Sequence, residues 1–138
     1  DAVGRGAKLR LGGARIGNRG DFFQPTVLVD VPIDAAIMNE EPFGPVAIIN
    51  AVDGFEDAMA EANRLPYGLA AFAFTRSART ASRIYEQIES GMVSINHFGL
   101  GNPEAPFGGV KDSGYGSEDG PEAVEAYLQT RYLTQADL

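Results

Sequence analysis

The stretch Leu69-Ala70-Ala71-Phe72-Ala73-Phe74-Thr75 predicts a short apolar strand, and Met92-Val93-Ser94-Ile95-Asn96 predicts another one further along the chain. Between these two stretches, Ser77 is placed to cap a helix, and Gly91 stands where a C′ glycine belongs. The apolar stripe of this helix comprises Ala81, Ile84, Tyr85 and Ile88. Two strands joined by one helix through short loops predict a crossover connection between parallel strands.

The same alternation of strand and helix begins upstream of this unit. Residues 22–29 predict a strand, and Asp34 is placed to cap a short helix that ends at Met38. Residues 46–50 predict the next apolar strand, and an amphipathic helix follows with Asp53 at its start. We therefore predict an α/β fold that contains a partial parallel sheet with crossover helices.

The last third of the chain carries fewer regular signals. Residues 97–120 are polar and rich in glycine, which predicts a long structured loop. A loop of this length in a compact domain is usually functional. Pro121 suits the first turn of a helix, and residues 131–135 predict a short final strand.

Composition excludes several classes of function. The chain has 138 residues, 44% of them hydrophobic, which is enough for one domain with a core. Its net charge of -8 repels nucleic-acid phosphates and anionic membranes, so we expect neither as a partner. The chain has no cysteine, which excludes disulfides and thiolate metal sites. Such a chain is compatible with the reducing cytoplasm, where we expect this protein.

The only histidine, His97, lacks the partners that a zinc site or a Ser-His-Asp triad requires. We therefore expect it to pack or to hydrogen-bond beside a loop. The chain is predicted to contain no catalytic residue and no metal site.

The segment Glu41-Pro42-Phe43-Gly44-Pro45 allows two interpretations. Prolines on both sides of Phe43 restrict the backbone, which limits the directions that the ring can take. A carboxylate beside a fixed aromatic ring suits a nucleotide sugar and its flat base, in a crevice at the carboxyl-terminal edge of the sheet. Residue types alone favour the simpler interpretation, which is an acidic turn next to a core phenylalanine.

The segment Phe107-Gly108-Gly109-Val110-Lys111 is not a phosphate-binding P-loop. In a P-loop, glycine precedes the lysine and serine or threonine follows it, whereas Val110 and Asp112 occupy these positions. We predict that the glycines permit tight turns and close backbone approach. We predict that Lys111 is a surface or carbonyl-capping cation.

Several stretches together resemble the aldehyde dehydrogenase family. Residues 41–45 resemble the Glu-x-Phe-Gly-Pro segment of that family. The other matching stretches follow in the family's order and are residues 23–28, 62–69, 91–96 and 106–116. The resemblance covers nearly the whole chain. It implies that residues 1–130 are the C-terminal part of the catalytic domain and that residues 131–138 are a terminal oligomerisation strand.

The resemblance also implies roles for individual residues. Glu41 would hold the nicotinamide ribose of NAD or NADP, and Phe43 would pack beside the nicotinamide ring. The loop from His97 to Phe107 would line the aldehyde entrance, so the expected pocket residues are His97, Phe98, Gly99 and Phe107. The family's terminal strand implies a homo-oligomer, either a dimer or a tetramer.

Residues 96–99 and 110–116 look most like the succinate-semialdehyde dehydrogenase branch, which implies oxidation of succinic semialdehyde to a carboxylic acid. The family's nucleophilic cysteine, its general-base glutamate and its dinucleotide-binding half lie upstream of this segment, and none is present in this chain. We therefore expect the chain to be inactive by itself. The alternative is a non-catalytic interaction module derived from such an enzyme.

Overall fold

The computed structural model describes residues 1–137. They form two compact units, one over Asp1–Phe55 and one from Glu56 onward. Both units mix strands and helical turns, and both contain a pair of parallel strands. The predicted α/β class with parallel sheet segments is confirmed.

The first unit is built on a three-stranded sheet. Strand β1 (Lys8–Leu11) pairs antiparallel with β2 (Thr26–Val29), and β2 pairs in parallel with β3 (Val46–Ile49). The strand predicted over residues 22–29 is shorter than expected, because Phe23 forms only an isolated bridge with Arg15. The buried core of this unit comprises Ala7, Leu28, Val31 and Ala35.

The short helix of the first unit is a 3₁₀ helix over Ala36–Met38, and its predicted cap is wrong. Ala35 occupies the N-cap position and makes no side-chain cap. The Asp34 carboxylate instead accepts a hydrogen bond from Arg5 at 2.6 Å. The Ala36 N–H donates to the Asp1 carboxylate at 2.8 Å. A guanidinium within reach therefore directs Asp34 away from the helix end.

The second unit contains the crossover predicted from residues 69–96. Strand β5 (Ala70–Ala73) pairs in parallel with β6 (Met92–Ile95), and helix α2 (Ala78–Gln87) connects them. Strand β4 (Tyr67–Gly68) pairs antiparallel with β7 (Val110–Lys111), a short strand that the sequence does not predict inside the loop over residues 97–120. The elements in chain order are α1 (Phe55–Ala62), β4 (Tyr67–Gly68), β5 (Ala70–Ala73), α2 (Ala78–Gln87), β6 (Met92–Ile95) and β7 (Val110–Lys111).

Helix α2 confirms part of its predicted pattern. The Ser77 hydroxyl accepts a hydrogen bond from the Thr80 N–H at 3.1 Å, as an N-cap does. Ile84 is buried, but Tyr85 is 75% exposed, so the apolar stripe is narrower than predicted. The helix ends at Gln87, and its C-cap residue Ile88 is extended, so Gly91 is not a C′ glycine.

The C-terminal region differs most from the sequence prediction. Pro121 does begin a helical turn, but the turn is a 3₁₀ helix over Pro121–Tyr127. Residues 128–137 contain no strand in the single chain. The strand over residues 131–135, which the resemblance assigns to pairing with another subunit, therefore stays a prediction. A strand requires a hydrogen-bonded neighbour, and none of the described strands pairs with these residues.

No helix within residues 1–137 combines the length and the apolar character that crossing a membrane requires.

Candidate functional site

Residues 41–45 lie directly before β3, at the amino-terminal edge of the parallel β2–β3 pair. The Thr26 N–H donates to the Pro45 carbonyl at 2.8 Å, and the Gly44 N–H donates to the Pro42 carbonyl at 3.0 Å. These bonds and the two prolines fasten the backbone on either side of Phe43. The expectation of a crevice at the carboxyl-terminal edge is therefore wrong for this segment.

Glu41 and Phe43 both point into open space within their own unit. Glu41 is exposed, and Phe43 is 96% exposed. The simpler interpretation, in which Phe43 is a core residue, is thus wrong for this chain. A carboxylate can accept hydrogen bonds from two ribose hydroxyls, and an exposed ring on a fixed backbone can pack against a flat base. Both side chains are thus accessible to a ligand.

The residues predicted to line the aldehyde pocket fall into two places. His97, Phe98 and Gly99 follow β6, at the carboxyl-terminal edge of the β5–β6 pair. The Gly99 N–H donates to His97 Nδ1 at 3.1 Å, which confirms that His97 hydrogen-bonds within a loop. Phe98 lies against two phenylalanines at the end of β5, with ring centroids 5.6 Å from Phe72 and 5.1 Å from Phe74.

Asn96 turns the chain at the end of β6. Its φ of 64° lies in the left-handed region, which asparagine tolerates better than most residues. Its side chain bonds both backbone groups of Thr75, accepting from the N–H and donating to the carbonyl at 2.8 Å each. The Ser94 hydroxyl donates to the His97 carbonyl at 2.6 Å. These bonds fix where residues 97–99 leave the sheet.

Phe107 lines a separate open cleft of about 610 Å³. Phe107 and Glu118 exchange two backbone hydrogen bonds, of 2.6 and 2.7 Å, which close residues 107–118 into a loop. The cleft is lined by residues of this loop, by Leu69 and by Tyr127, among others. His97, Phe98 and Gly99 are not in its lining. The structure therefore groups three of the predicted pocket residues and places the fourth elsewhere.

Lys111 confirms its prediction as a carbonyl-capping cation. Its ammonium donates to the carbonyl oxygens of Asn63 at 3.0 Å and Leu65 at 3.2 Å, just after α1. It also forms an ion pair with Glu89, which follows α2. The sequence analysis did not identify Asn63 and Glu89 as partners, because no local pattern connects residues so far apart in the chain.

Charge in the rest of the chain is mostly at the surface. A hydrogen bond from Lys8, and then its positive charge, lowers the pKa of Asp30 below its usual value. Both side chains are more than half exposed, so the pair contributes little to stability. Within residues 1–137, no group of three or more histidine, aspartate and glutamate side chains could hold a metal ion.

The family of this chain follows from its similarity to known proteins. Residues 1–133 match the model of the aldehyde dehydrogenase family. The chain therefore belongs to the aldehyde dehydrogenase family, whose members are NAD(P)-dependent oxidoreductases.

Two relatives and one solved structure show how similar the chain is to members of this family. A 4-(hydroxymethyl)benzenesulfonate dehydrogenase of Comamonas testosteroni is 53% identical over 114 residues, which are 83% of this chain and 24% of the relative. A succinate-semialdehyde dehydrogenase of Paenarthrobacter nicotinovorans is 47% identical over 136 residues, which are 99% of this chain and 30% of the relative. A Mycobacterium tuberculosis aldehyde dehydrogenase in complex with NAD+ is 44% identical, with a TM-score of 0.83, over 93% of this chain and 27% of that one. The matched part of the chain thus spans 24% to 30% of the length of these relatives.

Proposed function

We propose that this chain is the C-terminal part of the catalytic domain of an NAD(P)-dependent aldehyde dehydrogenase, which oxidises an aldehyde to a carboxylic acid in the cytoplasm. The observation that supports this most directly is the pair Glu41 and Phe43, exposed on a backbone held by two prolines in a chain of this family. Glu41 accepts hydrogen bonds from the nicotinamide ribose, and Phe43 restricts the position of the ring. The bound cofactor supplies the hydride acceptor.

The substrate side of the proposal rests on the two aromatic regions of the second unit. Phe107 forms a wall of the aldehyde pocket, and the segment from His97 to Gly99 lines its entrance. The finer proposal is that the aldehyde is succinic semialdehyde. The support for it is the relative from Paenarthrobacter nicotinovorans, which is 47% identical and is named a succinate-semialdehyde dehydrogenase. Comparing kcat/KM for succinic semialdehyde and for a sulfonated benzaldehyde in the full-length protein tests this choice. A preference of more than about tenfold for the benzaldehyde would contradict it.

The isolated chain is expected to show no aldehyde oxidation. It has no cysteine, and without a thiolate it has no nucleophile of the kind that the family uses. The measurement is formation of NADH or NADPH from succinic semialdehyde and from simple aliphatic aldehydes. The full-length protein is the positive control. Turnover above the blank, from a preparation free of host dehydrogenases, would show that other residues can replace the thiolate.

The alternative function, a non-catalytic interaction module, predicts a different result. In that case the chain has no upstream dehydrogenase part, and no longer form of the protein oxidises aldehydes. Reading the gene upstream of Asp1 separates the two proposals. A reading frame that continues into a cysteine-bearing dehydrogenase body supports the enzyme, and a start codon near Asp1 supports the module.

The isolated chain is expected to self-associate through its last residues. Tyr132 and Leu133 are 87% and 84% exposed, and the backbone around them has no strand partner within the described residues. Such unpaired backbone can add to a strand of another chain. Deleting residues 131–138 is therefore expected to shift the mass in light scattering toward the monomer.

A matched pair of substitutions tests whether this association is specific. Tyr132→Ser removes an exposed tyrosine from the C-terminal segment, and Tyr85→Ser removes a comparably exposed one from α2. Only the first change is expected to lower the mass. The same monomeric mass for the intact and the shortened chain would rule out an oligomerisation strand.

A further inference from the structure

Three side chains tie the loop that carries Phe107 to two helix ends. We define this lysine clamp as Lys111, Asn63 and Glu89. The Lys111 ammonium has three N–H groups, and the structure supplies three acceptors for them. These are the carbonyl oxygens of Asn63 and Leu65, at 3.0 and 3.2 Å, and the Glu89 carboxylate. The Lys111 side chain is only 26% exposed, so its charge is partly removed from water and depends on these partners.

Asn63 connects the two helix ends that Lys111 contacts. Its side chain donates to the Gln87 carbonyl at 2.7 Å and accepts from the Glu89 N–H at 2.8 Å. The turn after α1 and the turn after α2 are thereby held together, and the lysine binds both. A positive charge at these carbonyls is also favoured, because the C-terminal end of a helix carries partial negative charge.

The residues after Lys111 are attached to the same region. The Asp112 N–H donates to the Pro66 carbonyl at 2.8 Å, and the Gly68 N–H donates to the Ser113 hydroxyl at 2.9 Å. Lys111 itself has a φ of 56°, a left-handed conformation that is unfavourable for a lysine. Such a conformation persists where the surrounding contacts determine it, which here are the clamp and its neighbours.

The clamp lies four residues after Phe107. At the other end of this short segment, Phe107 is held by its two backbone bonds to Glu118. In the middle, the Gly108 carbonyl lies so close to Gly91 that a Cβ there would be 2.0 Å from it. The backbone from Phe107 to Lys111 is therefore bonded at both ends and closely packed against Gly91 in the middle. The clamp is thus one of the two attachments that set the course of the backbone carrying the Phe107 ring.

We propose that Lys111 is a positioning residue for aldehyde recognition: through the lysine clamp it holds Phe107 in place on the pocket wall. This inference rests on the proposed function for its substrate. The clamp residues are not among those proposed to hold the cofactor. Loss of the clamp therefore changes recognition of the aldehyde and leaves binding of NAD(P) unchanged.

The test uses Lys111→Met in the full-length protein, because methionine keeps much of the length of the side chain and removes its charge. Loss of the clamp is expected to raise hydrogen exchange at the amides of Asp112 and Ser113 by about tenfold or more. The KM for the aldehyde is expected to rise by about tenfold, while kcat and the Kd of NAD(P) change by less than about twofold. The matched control is Lys8→Met, which removes an exposed lysine paired with Asp30 and is expected to change none of these values.

Glu89→Gln is the second variant and carries the test if Lys111→Met does not fold. It keeps the shape of the side chain and removes one charge of the clamp, so the same changes are expected with smaller size. Lys111→Arg is not expected to restore the wild-type KM, because a planar guanidinium does not match three acceptors arranged around a compact ammonium.

Two results would overturn the inference. One is unchanged exchange at residues 112 and 113 in the folded variants. The other is a lower yield of active enzyme with an unchanged aldehyde KM, which indicates a role in stability alone. If the wild-type protein oxidises no aldehyde, the proposed function fails, and the exchange measurement still decides whether the clamp holds the loop.

Discussion

In the full-length enzyme, Glu41→Gln is expected to slow the hydride-transfer step by about 100-fold, while the Kd of NAD(P) changes by less than about threefold. Glu41 is exposed at the end of a fastened backbone segment and can contact only one part of a dinucleotide. Most of the cofactor is expected to bind upstream of this chain, so the loss of one carboxylate removes little of the total affinity. The orientation of the nicotinamide ring depends more strongly on the Glu41 carboxylate than the total affinity does. The reason is that hydride transfer requires close alignment of donor and acceptor.

The measurement is single-turnover kinetics with deuterated aldehyde, together with titration of NAD(P). A larger isotope effect with nearly unchanged affinity is the expected result. Glu40→Gln is the matched control, since Glu40 is the exposed neighbour and has no proposed contact with the cofactor. Phe43→Ala is expected to show the same kinetic pattern as Glu41→Gln. A large loss of affinity with an unchanged chemical step would make Glu41 a general binding residue instead.

Gly91→Ala is expected to destabilise the protein by about 3 kcal/mol. The φ of Gly91 lies outside the left-handed region, so alanine could adopt the backbone conformation itself. The obstacle is space, because the added Cβ would lie 2.0 Å from the Gly108 carbonyl oxygen and 3.0 Å from the Gly109 Cα. Both are backbone atoms that cannot rotate away, so either β6 or the Phe107 loop must shift. Gly68→Ala is expected to lower the stability by a similar amount, because its Cβ would lie 2.0 Å from the Glu89 carbonyl oxygen.

Denaturant unfolding of the full-length protein, followed at the transition of this domain, measures the change in the free energy of unfolding. Gly101→Ala is the matched control, because no atom lies within 4 Å of the added Cβ and the φ of Gly101 is not left-handed. A stability for Gly91→Ala within about 0.5 kcal/mol of the wild type would mean that the loop moves away at little cost.

Several features of this protein follow from the sequence by itself, because they depend on local chemistry. The Ser77 cap needs only a hydroxyl at the start of a helix and an N–H three residues on. The parallel β5–β6 pair follows from two apolar runs with one helix between them. The family also follows, because the matching stretches are numerous, ordered and spread over nearly the whole chain.

Other features were decided by tertiary contacts between residues far apart in the chain. Asp34 fails to cap its helix because Arg5 lies within reach, and no local pattern contains that ion pair. Gly91 is needed for the close approach of the Gly108 backbone, whereas its position after α2 predicts a C′ glycine. Residues 131–135 form no strand, because strand propensity yields a strand only where another strand supplies hydrogen bonds.

The features of the candidate site likewise comprise some that follow from the sequence and others that tertiary contacts decide. The residue types of Glu41, Phe43 and Phe107 were recognisable in the sequence, because each stands in a short segment with fixed spacing. The exposure of Phe43, the separation of Phe107 from His97 and the partners of Lys111 were decided only by the tertiary structure. A hydrogen bond that joins residues 48 positions apart leaves no periodic signal, since its energy depends on where the fold brings two backbone segments together.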